Sequence, residues 1–521
     1  MRGGWDTIIV GAGVGGLTAA AKLVRAGLRV LVLDRNPHPG GTAYVYHRKG
    51  FSFPMGPLGF SHPGMVHEIL KDLGEDDDLE FYRIHYRMMA FNREIPLSLP
   101  FSEMKKKLKE WFPIDTQGVE QFFQDMEEIA SALMSTDTVL NRSLVKRAAK
   151  TSASEYLSGL VKDRGLRRIL GSLGTREPYS SLSLLAAMWN LMSNEGIWYP
   201  KGGMRFFCER LLRAVTEPKG NEKERDGMVR LGTEVKKIRL KEGNVLGVTL
   251  SDGTKIDGGS IISNADYKGT FIKLINHQGV HDNWFRAVVN AKQSGSVLQV
   301  CLGVDPSRID FSSFKEVSRV IYRRNKSDFE GQEELNWKRA EVDPEALASQ
   351  EMEVSLWSRD DKLLAPETGA VIVIRTEADY SHFARFRSVW RERLPAYYEY
   401  KMRLGRAILR EVDNLIPGVE DAVLAMDVAT PLTFEEQGGR SEGAVAGWSW
   451  DYEDFHDYQP RELIRTPING LYMAGYQAFS ALFMGGVPTA IESGIRAAHA
   501  VLQNVGPIEQ ILIPGVEGTL I

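Results

Sequence analysis

The sequence predicts an α/β protein organised on a Rossmann-type domain, and three observations in its first 34 residues predict it. Residues 7–10 are a short β-rich apolar run, and Gly11, Gly13 and Gly16 follow with the G-x-G-x-x-G spacing. Residues 14–26 then carry helical periodicity with small side chains, and the apolar run 29–33 ends on Asp34. A glycine triplet alone is weak evidence. With strand, helix, second strand and acid in register, it describes a dinucleotide cradle. The first glycine permits the tight turn, the second admits a pyrophosphate to the backbone N–H groups, and the third lets the helix lie close to the strand. The helix N-terminus favours the anion through unpaired N–H groups and the positive end of its dipole. Asp34 then offers a carboxylate to ribose hydroxyls.

At 521 residues the chain is too long for one core and divides into two or three domains. Its 43% hydrophobic and 25% charged residues are those of a globular protein, and a formal net charge of -4 supplies no basic field for nucleic acid. Cys208 and Cys301 lie far apart and outside any metal-ligand spacing, so neither a disulfide framework nor a structural zinc site is expected. Asp76, Asp77 and Asp78 match no EF-hand spacing and read as a solvated loop or helix start. Arg2 with the apolar run behind it imitates a secretory signal, but cleavage there would remove the glycine turn. No uninterrupted apolar stretch reaches the roughly 18 residues of a spanning helix. The expectation is a cytoplasmic protein, soluble or attached peripherally at the inner face of the membrane.

After Asp34, the turn Pro39-Gly40-Gly41-Thr42 lets backbone come close to a ligand. A hairpin through 44–46 and 51–53 follows, then a helix over 63–73 closed by Gly74. Residues 101–190 read as mainly helical. Phe101, Met104, Leu108, Trp111 and Phe112 share one face, with Lys105, Lys106, Lys107 and Lys109 largely on the other. That composition is found in interfacial helices, but a helix packed on its own domain with a solvated basic face is the favoured reading. Residues 182–192 are apolar all round, hence buried or lining a cavity. Strands are expected at 228–231, 235–240, 244–250, 255–256 and 260–262, with a second sheet at 296–304, 353–357 and 370–375. A long helix is expected over 391–415, and a polar surface excursion over 323–348. Finally, 470–475 is a buried strand, and Gly485-Gly486-Val487-Pro488 opens a small-residue helix over 489–502, a second helix N-terminus directed at a ligand.

In this order the blocks resemble the phytoene desaturase family of FAD-dependent oxidoreductases, the group that also holds carotenoid isomerases and retinol saturase. The resemblance rests on the fingerprint with Pro39-Gly40-Gly41, on 195–204 (EGIWYPKGGM), 262–266 (ISNAD), 302–305 (LGVD), 430–434 (TPLTF) leading to 443–447 (GAVAG), and on the tail 470–494. It implies a discontinuous FAD-binding domain of the glutathione reductase-like Rossmann type from 1–85, 195–290 and 440–503. An α+β substrate or cap domain would come from 86–194 and 291–439, leaving a tail at 504–521. By that likeness Gly11, Gly13, Val14 and Gly16 take the pyrophosphate, Asp34 and Arg35 the adenosine side, and Gly41 and Thr42 the ribityl chain. Val235 would contact adenine, and Gly475, Gly486 and Val487 the ribityl and isoalloxazine end. Two departures stand out. Where relatives often carry Thr-His-Pro-Gly, residues 476–484 read YQAFSALFM, and the expected Phe-Asp-x-Gly-Pro reads Phe53-Pro54-Met55-Gly56-Pro57.

The resemblance implies desaturation, saturation or cis/trans isomerisation of carbon–carbon bonds in a long apolar polyene or isoprenoid, by hydride exchange at N5 of non-covalent FAD. Electrons would pass to a quinone, to oxygen or to a partner protein, and residues 101–112 would touch the bilayer that holds the lipid. Tyr199, Lys201 and Tyr476 are the candidates for proton transfer, being titratable groups in the blocks nearest the ring. Trp198, Phe479, Leu482 and Phe483 read as cavity walls. Two other readings stand beside this one. An amine oxidase or protoporphyrinogen oxidase is opposed by Thr42, since amine oxidases usually carry Arg after the second Gly-Gly pair. A flavin-free prenyl-lipid chaperone of the Rab escort or GDI type is opposed by the intact fingerprint and Asp34.

Overall fold

The computed structural model describes residues 4–507 apart from 57–58, 91–92, 136–138, 172–180, 219–225, 324–342, 389–391, 450–460 and 481–485. Trp5–Val10 is a central strand in which Ile8 and Ile9 are fully buried, as a parallel strand covered on both faces requires. It pairs in parallel with Val30–Leu33 on one side (Thr7 opposite Val30) and with Lys255–Ser263 on the other (Ile9 opposite Ile262). Gly227–Arg230 and Leu471–Met473 extend the parallel ladder at its two ends. The hairpin Val235–Lys241 and Asn244–Leu250 pairs antiparallel with the first half of Lys255–Ser263.

Two helices cross over this sheet at small residues. A Cβ on Gly494 would stand 2.3 Å from the Gly15 carbonyl oxygen, so Val14–Arg25 and Gly486–Leu502 touch backbone to backbone. Every strand of the sheet falls in 1–85, 195–290 or 440–503, the segments of the proposed FAD-binding domain.

A second seven-stranded sheet runs in the order Val423–Ala429, Ser296–Val304, Ala370–Ala378, Met352–Leu356, Arg319–Tyr322, Tyr86–Ala90, Arg93–Pro96. It is antiparallel except between Arg319–Tyr322 and Tyr86–Ala90. Alternation along each strand separates its faces. Leu298, Val300, Ile372, Ile374 and Val354 pack with Leu404, Ile408 and Val412 of the helix Pro395–Asp413. The opposite face carries Gln299, Cys301, Arg375, Glu353 and Arg319, and Gln299 reaches the strand Phe51–Pro54 by donating to the Pro54 carbonyl at 3.0 Å.

The helical layer beside this sheet corrects one expectation. In Phe101–Trp111 the side chains of Met104 and Leu108 are fully buried and Phe101 nearly so, in the protein's own core, with Phe101 against Phe123 at 5.1 Å. Lys105 pairs with Glu120 at 2.7 Å, and Lys109 pairs with the same carboxylate. The apolar stripe is therefore spent on Thr116–Met134, not presented to a bilayer. Among the described residues no helix is long and apolar enough to cross a membrane. The helix expected over 391–415 begins at Pro395, which lacks the N–H that a first turn leaves unpaired. Most of the excursion at 323–348 lies outside the described residues. Its end forms the short helix Pro344–Ala348, capped by Asp343. Leu182–Asn190 continues as a π turn, Leu191–Glu195, a departure from α geometry of the kind found at functional sites.

Candidate active site

The glycine turn is closed by contact. A Cβ on Gly16 would lie 2.1 Å from the Gly11 carbonyl oxygen, and one on Gly13 2.7 Å from the Asn264 amide nitrogen. Gly11 itself has φ +106°, open to glycine and strained for other residues. Val14–Arg25 has no side-chain cap and no acid in its first turn, so its leading N–H groups face outward unspent. The Asp34 carboxylate is buried and accepts from the backbone N–H of Ala12 at 2.7 Å and of Asn36 at 2.8 Å. It thus ties the turn to the second strand, and each oxygen keeps a lone pair for a ribose hydroxyl.

From this turn a cavity of about 1100 Å³ runs between the two sheets. At one end it is bounded by Asp34, Glu234, Val235 and Ser251, and past the glycines by Gly41, Thr42, Gly475, Gly486 and Val487. The turn at Gly475 is held by its N–H donating to Ser493 Oγ at 2.7 Å. On the far side the wall is apolar: Leu184, Met188 and Leu191 from the helix Leu182–Asn190 and its π turn, with Val297 and Phe434. A glycine turn with no room for side chains, two helix N-termini on one cavity and an acid at the ribose end fit FAD.

Of the expected cofactor residues, Gly11, Gly13, Val14, Asp34, Arg35, Gly41, Thr42, Val235, Gly475, Gly486 and Val487 line this cavity. Gly16 lies beneath the turn, not on the lining. Arg35 donates to the carbonyls of Glu436 (2.8 Å) and Gln437, which fastens the end of the helix Pro431–Gly438 over the cofactor side.

The candidates for proton transfer separate. Tyr476 lines the cavity, its hydroxyl makes no hydrogen bond to a described residue, and the Arg440 guanidinium sits 5.0 Å from its ring centre. Burial raises its pKa, Arg440 opposing. Tyr199 is fully buried away from the lining and donates to Asp361 Oδ2 at 3.2 Å, its pKa pushed well up by burial. Lys201 is exposed, paired with Glu80 at 2.9 Å. Neither can reach a ligand in the cavity, so these two expectations are corrected.

The expected walls are corrected likewise. Trp198 stays in the pair Phe81–Ile84 with Ile197–Pro200 and donates to the Glu195 carbonyl. Phe479 is buried in a two-stranded ribbon with Arg461–Glu462, the Arg496 guanidinium 4.4 Å from its ring centre. Leu482 and Phe483 lie outside the described residues. Sequence reasoning assigned no role to Asn264, Ser493, Arg440 or Arg375. Asn264 was legible as part of a conspicuous block, whereas nothing local distinguishes the other three.

These features define a FAD-dependent oxidoreductase with an α/β FAD-binding fold. The chain belongs to the flavin containing amine oxidoreductase family, whose profile matches residues 14–306, and within it to the phytoene desaturase, carotenoid isomerase and retinol saturase group. It is 25% identical to a Danio rerio protein named inactive all-trans-retinol 13,14-reductase, over 97% of this chain and 87% of that one. It is 26% identical to prolycopene isomerase 1 of an Oncidium hybrid cultivar, over 96% and 84%. Among solved structures, an oxidoreductase from Methanosarcina mazei superposes with a TM-score of 0.62 at 16% identity, over 95% of this chain and 99% of the other, a likeness of fold.

Proposed function

We propose that the protein acts on carbon–carbon bonds of a long apolar polyene or isoprenoid lipid, by desaturation, saturation or cis/trans isomerisation. The observation that carries this is the single cavity joining the glycine cradle to the apolar wall of Leu184, Met188 and Leu191. Such a wall holds an extended hydrocarbon and excludes water, while Tyr476 is the phenol on the lining able to give or take a proton. FAD, when bound, supplies hydride exchange at N5. Relatives named for prolycopene and retinol support the substrate class, and electrons would leave to a quinone or oxygen. The amine oxidase reading is weakened by Thr42 after the glycine pair and by this apolar wall.

A lipid substrate is concentrated in bilayers, and contact with a membrane belongs to the same reading. With the Phe101–Trp111 stripe buried, the exposed Met134, Val139 and Leu140, beside exposed Arg142 and Arg147, are the candidate contact. To test the function, FAD-loaded protein is incubated anaerobically with a panel of polyenes, isoprenoids and alkylamines, and products and flavin absorbance are followed. Turnover or flavin reduction with amines alone would overturn it.

A further inference from the structure

Of the six cationic side chains on the cavity lining, three arginines differ in how they are held. Arg387 is neutralised by Glu435 and by Glu436 at 2.7 Å. Arg440 is committed to the cofactor side, donating to Thr42 Oγ1 and to the carbonyls of Ala444 and Val445. Arg375 comes from the middle of the second sheet, on the face turned to the cavity. Its Nε donates to Gln299 Oε1 at 2.8 Å and its Nη2 to the Gly56 carbonyl. Of the five N–H groups of a guanidinium these bonds use two, both to neutral acceptors.

Glu353 stands opposite Arg375 in register, accepts from Ser355 Oγ, and makes no ion pair with Arg375. Burial depresses the Arg375 pKa, with Glu353 opposing only in part. A half-buried, partly desolvated cation without a paired anion is costly, so a site that keeps one has a use for it. The two neutral bonds fix the guanidinium plane, and its Nη1 edge is left for a ligand. The same cavity is walled by Leu184, Met188, Val297 and Phe434.

We propose that Arg375 holds an anionic head group of the substrate, so that the lipid is an isoprenoid or polyene chain ending in a carboxylate, bound with its chain along the apolar wall. This rests on the reading that the cavity takes an apolar chain.

The test is a titration of FAD-loaded, full-length protein with three matched ligands of one C20 isoprenoid chain: the acid, the alcohol and the hydrocarbon. The readout is the perturbation of flavin absorbance, with flavin content measured for each variant. Wild type should bind the acid at least tenfold tighter than the hydrocarbon, with the alcohol between. Arg375→Leu should abolish that preference with flavin still bound, and Arg375→Lys, which keeps the charge and loses the fork, should retain part of it. Equal affinity for acid and hydrocarbon in wild type would overturn the head-group assignment and leave the functional reading standing. Loss of flavin from Arg375→Leu and Arg375→Lys alike would assign the guanidinium to the cofactor and overturn it too. If none of the three chains perturbs the wild-type flavin, both readings fall.

Discussion

The geometry of the glycine turn makes Gly16→Ala a sharp test of the cradle. Gly16 sits in ordinary helical backbone, so alanine meets no dihedral strain and its whole effect is steric. An ordinary contact begins at 3.4 Å and the new Cβ has 2.1 Å, so Val14–Arg25 must move from the Gly11 carbonyl by about 1.3 Å. A donor displaced from about 2.9 Å to about 4 Å of a phosphate oxygen no longer hydrogen-bonds. Each hydrogen bond to a charged acceptor contributes about 1.5–3 kcal/mol, so losing one raises the Kd for FAD at least about tenfold. Overpacking costs a further ~1–3 kcal/mol of apoprotein stability. The control is Gly64→Ala, in the helix Pro63–Asp72, where a Cβ has nothing within 4 Å. It should stabilise the fold by about 0.4–1 kcal/mol, because alanine has less unfolded-state freedom to lose. Fluorescence titration of apoprotein with FAD, beside thermal unfolding, reads both numbers. If Gly16→Ala binds FAD within twofold of wild type at an unchanged Tm, the turn is looser than its distances say and does not set the phosphate donors.

Three further outcomes follow from particular contacts. Asp34→Asn replaces one accepting oxygen by an amide facing a backbone N–H, of Ala12 or Asn36, and should cost about 1.5–3 kcal/mol in apoprotein stability as well as weakening FAD; an unchanged Tm would show that the carboxylate does not brace the turn. Tyr476→Phe should keep its flavin and lose about 10²–10⁴-fold in turnover. Because burial holds the Tyr476 pKa above that of an ordinary phenol, the hydroxyl keeps its proton across the neutral range, and an alkaline limb due to its ionisation should lie above that of a free phenol; a variant with the same alkaline limb would remove Tyr476 from the chemistry. Phe479→Ala empties a buried ring site and should cost about 3–5 kcal/mol of stability with product ratios unchanged; a stable variant with altered products would return Phe479 to the substrate channel.

The sequence by itself determined the cradle and the class of fold. Everything the turn needs lies within 34 residues, and its physics is local: three glycines at fixed spacing, a helix that starts where the phosphate must sit, and an acid at the end of the next strand. The apolar run at 182–192 was legible too, as a segment that must be buried or line a cavity. Only the tertiary structure decided which chemistry-bearing side chains face that cavity. Tyr199 and Tyr476 are both tyrosines in conspicuous blocks, yet one is sealed against Asp361 and the other opens on the cavity, and no local signal separates them. Asn264, Ser493 and Arg375 reach the site from distant points in the chain, placed by strand register and helix crossing. The stripe in Phe101–Trp111 makes the same point about surfaces. An amphipathic helix states that one face must leave water, but whether a bilayer or Thr116–Met134 receives it depends on what else folds beside it.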